Sequence, residues 1–231
     1  SSNMIYFYTR DSVTKNAASS WNREHVWPQS LSNGNWGTDK GGTDILHLRP
    51  TYETTNSKRG NLPYGDNNKS NPVYYSSSML YAYLGSNNEY FEPIDAVKGD
   101  VARIIMYVWT TYTGYTGYNS LDIENVFDSY DTLLSWHTLD KPDALEGHRN
   151  DYAESSIQKN RNPFVDHPEL AWEIFGDKAS SSIKSACMAA YPSDSGSSGG
   201  EENSSAVVKA TSIAIGDTVF LTYENGTTKK Q

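Results

Sequence analysis

The stretch that decides the fold is Trp21-Asn22-Arg23-Glu24-His25-Val26-Trp27-Pro28-Gln29-Ser30. It places a histidine directly after a carboxylate, and Pro28 interrupts any helix there. We therefore predict that the segment is extended. Successive side chains of an extended segment point to opposite sides, so Glu24 and His25 are expected to have different tasks.

A second group of polar residues follows in segments 44–50 and 56–61, after a loop rich in Gly, Asn, Thr and Asp. A helix of at most two turns is predicted to begin near Thr54 and to end at the glycine after Arg59. It would carry Asn56 and Arg59, three residues apart, on one face.

Beyond residue 70 the apolar residues follow a helical period. The clearest stripe is Val101, Ile104, Ile105 and Val108, which predicts a helix over Asp95–Tyr112. A short strand is predicted over residues 4–9 and a loop over 11–20. Further helices are predicted near residues 72–84, 126–138, 142–158 and 167–175. The predicted fold class is α+β, with helices in excess.

The predicted domain organisation has three parts. Residues 1–192 are expected to form one domain, and the Ser/Gly/Glu-rich residues 193–205 form a flexible linker. Residues 206–231 alternate like strands but are too few to bury a β core alone. We expect them to be the truncated start of a β-rich C-terminal domain, or strands that dock on the body.

Composition limits the function classes without choosing one. The chain has 231 residues and a formal net charge of −9, and no apolar run is long enough to span a membrane. Residues 1–75 hold eight basic against six acidic side chains, whereas the remainder holds eleven against twenty-two. The candidate site region is thus mildly basic on an acidic body. A nucleic-acid partner would need a divalent ion to offset phosphate repulsion.

Three side chains in segments 21–30 and 56–61 are suited to the hydrolysis of a phosphodiester. His25 is the candidate general base, because an unperturbed imidazole is mostly neutral at pH 7 to 8. Glu24 supplies a hard oxygen ligand suited to Mg²⁺, Mn²⁺ or Ca²⁺. Asn56 would offer its side-chain carbonyl to the same ion, although it also fits a helix cap.

The basic side chains nearby are candidates for phosphate contact. The planar fork of Arg59 could grip a phosphate from the predicted helix. Arg49 and Arg23 are weaker candidates, since either could instead be a structural ion-pair partner. His47 could orient the site or touch substrate, but it is not the predicted base.

The order and spacing of these residues resemble the endonuclease I family of non-specific secreted nucleases. Further blocks carry the same resemblance in order, and together they cover roughly residues 5–178. These blocks are residues 43–65, Lys98–Arg103, Trp136–Asp140, Glu146–Asn150 and Gln158–Glu169.

The resemblance implies a ββα-metal (His-Me finger) motif embedded in a mainly helical body. It implies His25 as general base, Glu24 and Asn56 as ligands of one divalent ion, most simply Mg²⁺, and products with 5′-phosphate ends. Some relatives hold the scissile phosphate with an arginine between the first two blocks, and here Lys40 or Arg59 must take that part.

The function expected from these arguments is a hydrolase acting on phosphodiester bonds, a non-specific endonuclease with DNA or RNA as substrate. The resemblance also implies a secreted, extracellular or periplasmic location, and no obligate protein partner. The alternative is a catalytically weak module that binds nucleic acid or a surface polymer, which the linker and the C-terminal segment favour.

Overall fold

Small antiparallel sheets and helices alternate along the chain in the computed structural model. The structure describes residues 3–14, 21–32, 36, 40–85, 87, 89–114 and 121–193, and the strand backbones 210–214, 220–223 and 228–230. The strands are β1 Asn3–Ile5, β2 Ser12–Thr14, β3 Trp21–His25, β4 Leu48–Tyr52, β5 Pro72–Tyr74, β6 Leu80–Tyr83, β7 Glu92–Pro93, β8 Ala210–Ala214, β9 Phe220–Tyr223 and β10 Thr228–Lys230. The helices are α1 Lys40–Thr43, α2 Glu53–Arg59, α3 Asp95–Tyr112, α4 Tyr130–Leu139, α5 Ala144–Tyr152, α6 Pro163–Asp166, α7 Leu170–Phe175 and α8 Ser181–Ala190.

The polar segments 21–30, 44–50 and 56–61 fold into one strand–strand–helix unit. β3 pairs antiparallel with β4, with His25 opposite Leu48, and α2 follows β4 without a loop. The segment 21–30 is extended over residues 21–25, as predicted, but its end forms the 3-10 helical turn Gln29–Leu31 after Pro28. α2 has seven residues, which is about two turns. Gly60 ends it with a φ of 56°, a value that favours glycine.

Two predictions about the remaining strands were wrong. Residues 72–84 form β5 and β6 rather than a helix, because Val and Tyr favour strands and the serines between them form a turn. The first strand ends at Ile5 rather than continuing to residue 9. The chain turns back there through Arg10, whose φ is 55°, and β2 pairs with β1 inside the predicted loop 11–20.

α3 is the central helix, as predicted, and it is buried over most of its circumference. Its buried charges are paired within the described residues. Arg103 donates two hydrogen bonds of 2.7 and 2.6 Å to the carboxylate of Glu146 on α5. Lys98 donates to Glu92 at 2.7 Å. Such pairing is what allows charges to lie in a core.

The later helices agree with three predicted segments and add two. The predictions near 126–138, 142–158 and 167–175 correspond to α4, to α5 with the π-helical turn Ala153–Ile157, and to α7. α6, Pro163–Asp166, and α8, Ser181–Ala190, were not predicted. α8 packs against α4, and Cys187 is the buried residue of this short and mostly exposed helix.

Aromatic side chains make up much of the core. The largest fully buried side chains include Trp27, Trp36, Trp136, Tyr8 and Tyr64. Among the described helices, none combines the length and the apolar character needed to cross a membrane.

The C-terminal residues contain a separate antiparallel sheet of order β10–β9–β8. This agrees with the strand character of 206–231. Nearly all of the predicted linker 193–205 lies outside the described residues.

Candidate functional site

A polar groove of about 310 Å³ opens beside β3 and α2. It is lined by Arg23, Glu24, His25, Pro28, Gln29, Ser30, Asn56, Arg59, Gly60 and Asn61. Five of the residues predicted from the sequence therefore meet at one groove, although they come from two separate segments of the chain.

Two consecutive carbonyls of α1 hold two histidines in place. The Nε2 atom of His25 lies 3.0 Å from the carbonyl oxygen of Gly42. The Nδ1 atom of His47 lies 2.9 Å from that of Gly41. The two rings are edge-to-face, with centroids 5.5 Å apart. Because α1 lies in the Gly-, Asn-, Thr- and Asp-rich segment that was predicted to be a loop, this support was not foreseen.

These contacts assign the tautomer of His25. A carbonyl oxygen only accepts, so Nε2 carries the proton and donates it to Gly42. In the neutral ring Nδ1 is then the unprotonated nitrogen, and no described residue hydrogen-bonds to it. Partial burial lowers the pKa of His25, helped by the positive charge of Arg23. The side chain is therefore neutral and basic at pH 7.

His47 lies in the protein interior and does not line the groove. It is fully buried, its Nδ1–H donates to Gly41, and its Nε2 accepts from the Trp27 amide at 2.9 Å. Burial lowers its pKa to about 3. Both ring nitrogens are used, so a substrate contact through His47 is not supported, while orientation of the site is.

Glu24 lies at the floor of the groove with a buried carboxylate. Its Oε1 accepts a hydrogen bond of 2.5 Å from the Tyr8 hydroxyl, and the Nε atom of Arg59 lies 3.7 Å from the same oxygen. Burial raises the pKa of Glu24, whereas Arg59 and the Tyr8 hydrogen bond act in the opposite direction. A cation bound nearby would therefore stabilise the ionised form of this carboxylate.

Asn56 is oriented by hydrogen bonds from its amide nitrogen. Nδ2 donates to the side chain of Asn22 at 2.6 Å and to the Arg23 carbonyl at 3.4 Å. The amide oxygen makes no hydrogen bond within the described residues. The predicted cap role is not observed, because Asn56 lies inside α2 and Tyr52 precedes the helix.

The geometry does not support the prediction that Arg59 grips a phosphate. The side chain is buried, and its Nη atoms donate to the carbonyls of Val26 at 2.8 Å and Gly60 at 3.2 Å. Its guanidinium carbon lies 4.6 Å from the ring centre of Tyr64. Arg59 instead holds its positive charge beside the Glu24 carboxylate.

The other predicted basic residues are divided between the interior and the surface. Arg49 is buried, and its Nη1 donates to three carbonyls, two in the turn before β4 and one at the first residue of β4, so a structural role is supported rather than substrate contact. Arg149 of α5 donates to two of the same carbonyls. Arg23 is exposed at the groove, and its guanidinium forms no hydrogen bond or ion pair with a described residue. The side chain of Lys40 lies outside the described part of the structure.

The donors at the groove fit a hard divalent cation. The Glu24 carboxylate and the free amide oxygen of Asn56 are both oxygen ligands. Within the described residues, no group of three or more His, Cys, Asp and Glu side chains could hold a metal ion. A pair of oxygen donors suits Mg²⁺, which commonly keeps several waters and binds through few protein ligands and substrate phosphates.

Several groove residues were missed from the sequence. Gln29, Ser30 and Asn61 line the groove, and Asn61 donates to the Ser30 hydroxyl at 3.1 Å. All three lie in the polar segments 21–30 and 56–61, and this position is the signal that could have identified them. Tyr8 is sixteen residues from Glu24, and no local pattern marks their contact.

Comparisons with known proteins agree with this arrangement. Residues 1–169 match the family model described as Endonuclease I. The chain is 40% identical to an extracellular ribonuclease of Bacillus subtilis (strain 168), over 75% of this chain and 62% of the relative. It is also 40% identical to an extracellular ribonuclease of Bacillus amyloliquefaciens, over 75% of this chain and 61% of the relative. The chain thus spans about six-tenths of the length of these relatives.

The family match covers the strand–strand–helix unit, the groove and the helices that support them. The chain belongs to the endonuclease I family, whose members are hydrolases of phosphodiester bonds.

Proposed function

We propose that this chain is a metal-dependent, non-specific endonuclease in which His25 is the general base and Glu24 and Asn56 bind one divalent ion. The observation that carries the proposal is the meeting of these three side chains at one groove, with His25 fixed through Nε2 and basic at Nδ1. The ββα-metal arrangement is part of the same proposal.

The reaction assigns a defined proton transfer to His25. Nδ1 takes a proton from water, and the water oxygen forms a bond to phosphorus while the bond from phosphorus to the 3′ oxygen breaks. The products are a 5′-phosphate and, after protonation of the leaving oxygen, a 3′-hydroxyl. Gly42 stabilises the imidazolium that forms, because its carbonyl accepts the Nε2 proton in both charge states.

Glu24 and Asn56 would hold the ion, with Mg²⁺ as the preferred ion and Mn²⁺ or Ca²⁺ as alternatives. When bound, such a cation neutralises phosphate charge and stabilises the leaving 3′ oxygen. Arg59 and Tyr8 keep the Glu24 carboxylate in position. The side-chain oxygen of Asn22 accepts a hydrogen bond from the amide nitrogen of Asn56, which leaves the amide oxygen of Asn56 free for the ion.

Arg23 is the proposed phosphate contact, because it is the exposed guanidinium of the groove. His47, Arg49 and Arg149 would act indirectly by fixing the turn that connects α1 to β4. Lys40 remains a second candidate for phosphate contact.

The names of the two relatives extend the proposal to substrate and location. Both are called extracellular ribonucleases, so we include RNA beside DNA as a substrate and propose that the protein is secreted. We also propose that residues 1–192 form the nuclease unit. Residues 206–231 would then begin a β-rich C-terminal part after the linker 193–205.

The test is cleavage of supercoiled plasmid and of RNA in Mg²⁺, with EDTA and His25→Ala as controls. Exposed His148 on α5 provides the matched variant, since His148→Ala removes an imidazole outside the groove. We expect EDTA and His25→Ala to abolish cleavage, His148→Ala to retain it, and product ends to require phosphatase before they accept a new 5′ label.

Cleavage that survives exhaustive chelation, or that His25→Ala retains, would refute the proposal. Folded wild-type protein that binds both nucleic acids without cutting either would instead support the catalytically weak binding module.

A further inference from the structure

Trp21 is the exposed tryptophan of this chain. Its residue surface is 43% accessible, whereas Trp27, Trp36, Trp136 and Trp172 are all buried. Trp21 lies at the start of β3, the strand that carries Glu24 and His25. A large aromatic ring left in water beside a polar groove is a surface that a planar apolar partner would cover.

The pleat of β3 puts Trp21 in line with the groove. Side chains two residues apart share a face of a strand, so Trp21, Arg23 and His25 lie on one face at intervals of about 6.5 Å. The burial along β3 agrees, since Trp21 and Arg23 are exposed while Glu24 on the other face is buried. An aromatic ring, a cation and a base therefore follow one another along the strand.

The neighbouring strand extends this aromatic surface. Tyr52 of β4 is paired directly opposite Trp21, so it lies on the same face of the sheet. The Tyr52 ring is stacked on that of Tyr75, with centroids 3.7 Å apart and an interplanar angle of 14°. Tyr75 is itself 37% accessible. We call Trp21, Tyr52 and Tyr75 the aromatic platform.

The charge of this face suits a polyanion. The β3 and β4 positions that share the face with Trp21 carry Arg23, His25, Leu48 and Pro50, and no acidic side chain is among them. Glu24 alternates with these residues along β3; its carboxylate is buried and lines the same groove as Arg23 and His25. A strand of nucleic acid along this face would thus meet no exposed carboxylate from these two strands, and the nearby Asp11 carboxylate accepts the hydrogen bond of the Tyr52 hydroxyl.

We propose that the aromatic platform is a base-stacking subsite for an unpaired nucleobase next to the scissile phosphate, and that it makes single-stranded nucleic acid the preferred substrate. This rests on the proposed function. With a phosphate at Arg23, a base displaced toward the start of β3 reaches the Trp21 ring. In a duplex the faces of the bases are covered by their neighbours and cannot stack on a protein ring.

The test measures binding without cleavage. In a His25→Ala background with Mg²⁺, anisotropy would give the Kd for three labelled probes: a thymidine 8-mer, an abasic 8-mer with the same backbone, and an 8-base-pair duplex. Trp21→Ala is expected to raise the Kd for thymidine about 5-fold or more and to leave the abasic and duplex values unchanged. Trp21→Phe should restore most of the affinity, because it keeps a ring.

Tyr152→Ala is the matched control, because Tyr152 is an exposed aromatic residue on α5 outside the groove, 57% accessible. It should change none of the three Kd values. If Trp21→Ala lowers the melting temperature, Trp21→Leu replaces it, since leucine keeps apolar bulk without a ring.

An equal loss on all three probes, or no loss on thymidine, would overturn the subsite. These outcomes concern binding alone, so they are separable from a failure of the proposed function, which would appear as intact plasmid with wild-type protein.

Discussion

The hydroxyl of Tyr8 donates a 2.5 Å hydrogen bond to Oε1 of Glu24 and also contacts the Tyr64 hydroxyl at 2.8 Å, all within the protein interior. A tyrosine from the N-terminal segment thereby fixes the carboxylate of Glu24 on β3. Hydrogen bonds from such supporting residues orient metal ligands and tune their charge.

Tyr8→Phe should impair activity more than it impairs folding. The hydrogen bond to Tyr8 lowers the pKa of Glu24, so its loss raises that pKa further and leaves one oxygen unpositioned. We expect a loss of about 10- to 100-fold in kcat/KM or in apparent Mg²⁺ affinity. The free energy of unfolding should fall by about 1–3 kcal/mol. Mg²⁺ titration of the cleavage rate and urea unfolding measure the two quantities.

Tyr191→Phe provides the control for Tyr8→Phe. Tyr191 is also buried, and its hydroxyl donates to the His137 carbonyl at 2.8 Å in the helical body. A similar loss of stability with unchanged kcat/KM is expected. If both variants lose activity in proportion to stability, Tyr8 has no specific role at the site.

Gly42→Ala should disturb the histidines through the backbone. An added Cβ would lie 1.4 Å from the carbonyl oxygen of Trp36, so the two segments must separate. That movement displaces the carbonyl that holds His25. We expect a loss of at least about 10-fold in kcat, together with a lower melting temperature.

Gly147→Ala is the contrasting variant, because a Cβ there meets nothing within 4 Å. It lies in α5, where alanine is a better helix former than glycine, so stability should rise by about 0.5–1 kcal/mol with full activity. Unchanged kcat in Gly42→Ala would show that His25 does not depend on this carbonyl.

The sequence was sufficient where a local pattern governs the outcome. The stripe in α3 follows a helical period, and Gly60 ends α2 because the chain there requires a positive φ. Glu24, His25 and Asn56 could be predicted as site residues because they lie in segments 21–30 and 56–61. The fold then brings these two segments together at one groove.

The sequence was insufficient where long-range contacts govern the outcome. Arg59 looks like a surface cation in a short helix, yet it is buried against the Tyr64 ring and its guanidinium donates to the Val26 carbonyl. The strands β5 and β6 depend on pairing with each other and with β7, which no local window contains. His47 likewise acquires its partners only when β3 and α1 are adjacent.

Arg23→Ala should weaken binding to nucleic acid without a change in melting temperature. Arg23 is exposed, and no described residue pairs with it, so its removal costs one phosphate contact. The slope of log K against log salt should become shallower by about 0.7 on single strands. Lys58→Ala, which removes an exposed cation of α2 outside the groove-lining set, should leave the slope unchanged. Equal slopes for wild type and Arg23→Ala would exclude the proposed contact.

His137 should make stability depend on pH. It is buried, its Nε2–H donates to the Pro168 carbonyl at 2.9 Å, and Nδ1 lies 3.5 Å from an Nη atom of Arg103. Burial and the charge of Arg103 lower its pKa to about 3. The unfolded chain takes up this proton below about pH 6.5, whereas the folded protein does not until about pH 3, so folding stability is lost as pH falls through this window.

The prediction is a difference between wild type and His137→Gln, whose amide can also donate to Pro168. At pH 7 the wild type should be the more stable protein, because glutamine packs less well. From pH 6.5 to 4 the difference in unfolding free energy between wild type and variant should shrink by up to about 1.4 kcal/mol per pH unit. The reason is that the unfolded variant has no histidine at this position to take up a proton, while the other titrating groups are the same in both proteins and largely cancel. Urea unfolding at several pH values measures the gap, with exposed His148→Gln as the comparison. A gap that is independent of pH would mean that His137 is accessible to protons in the folded protein.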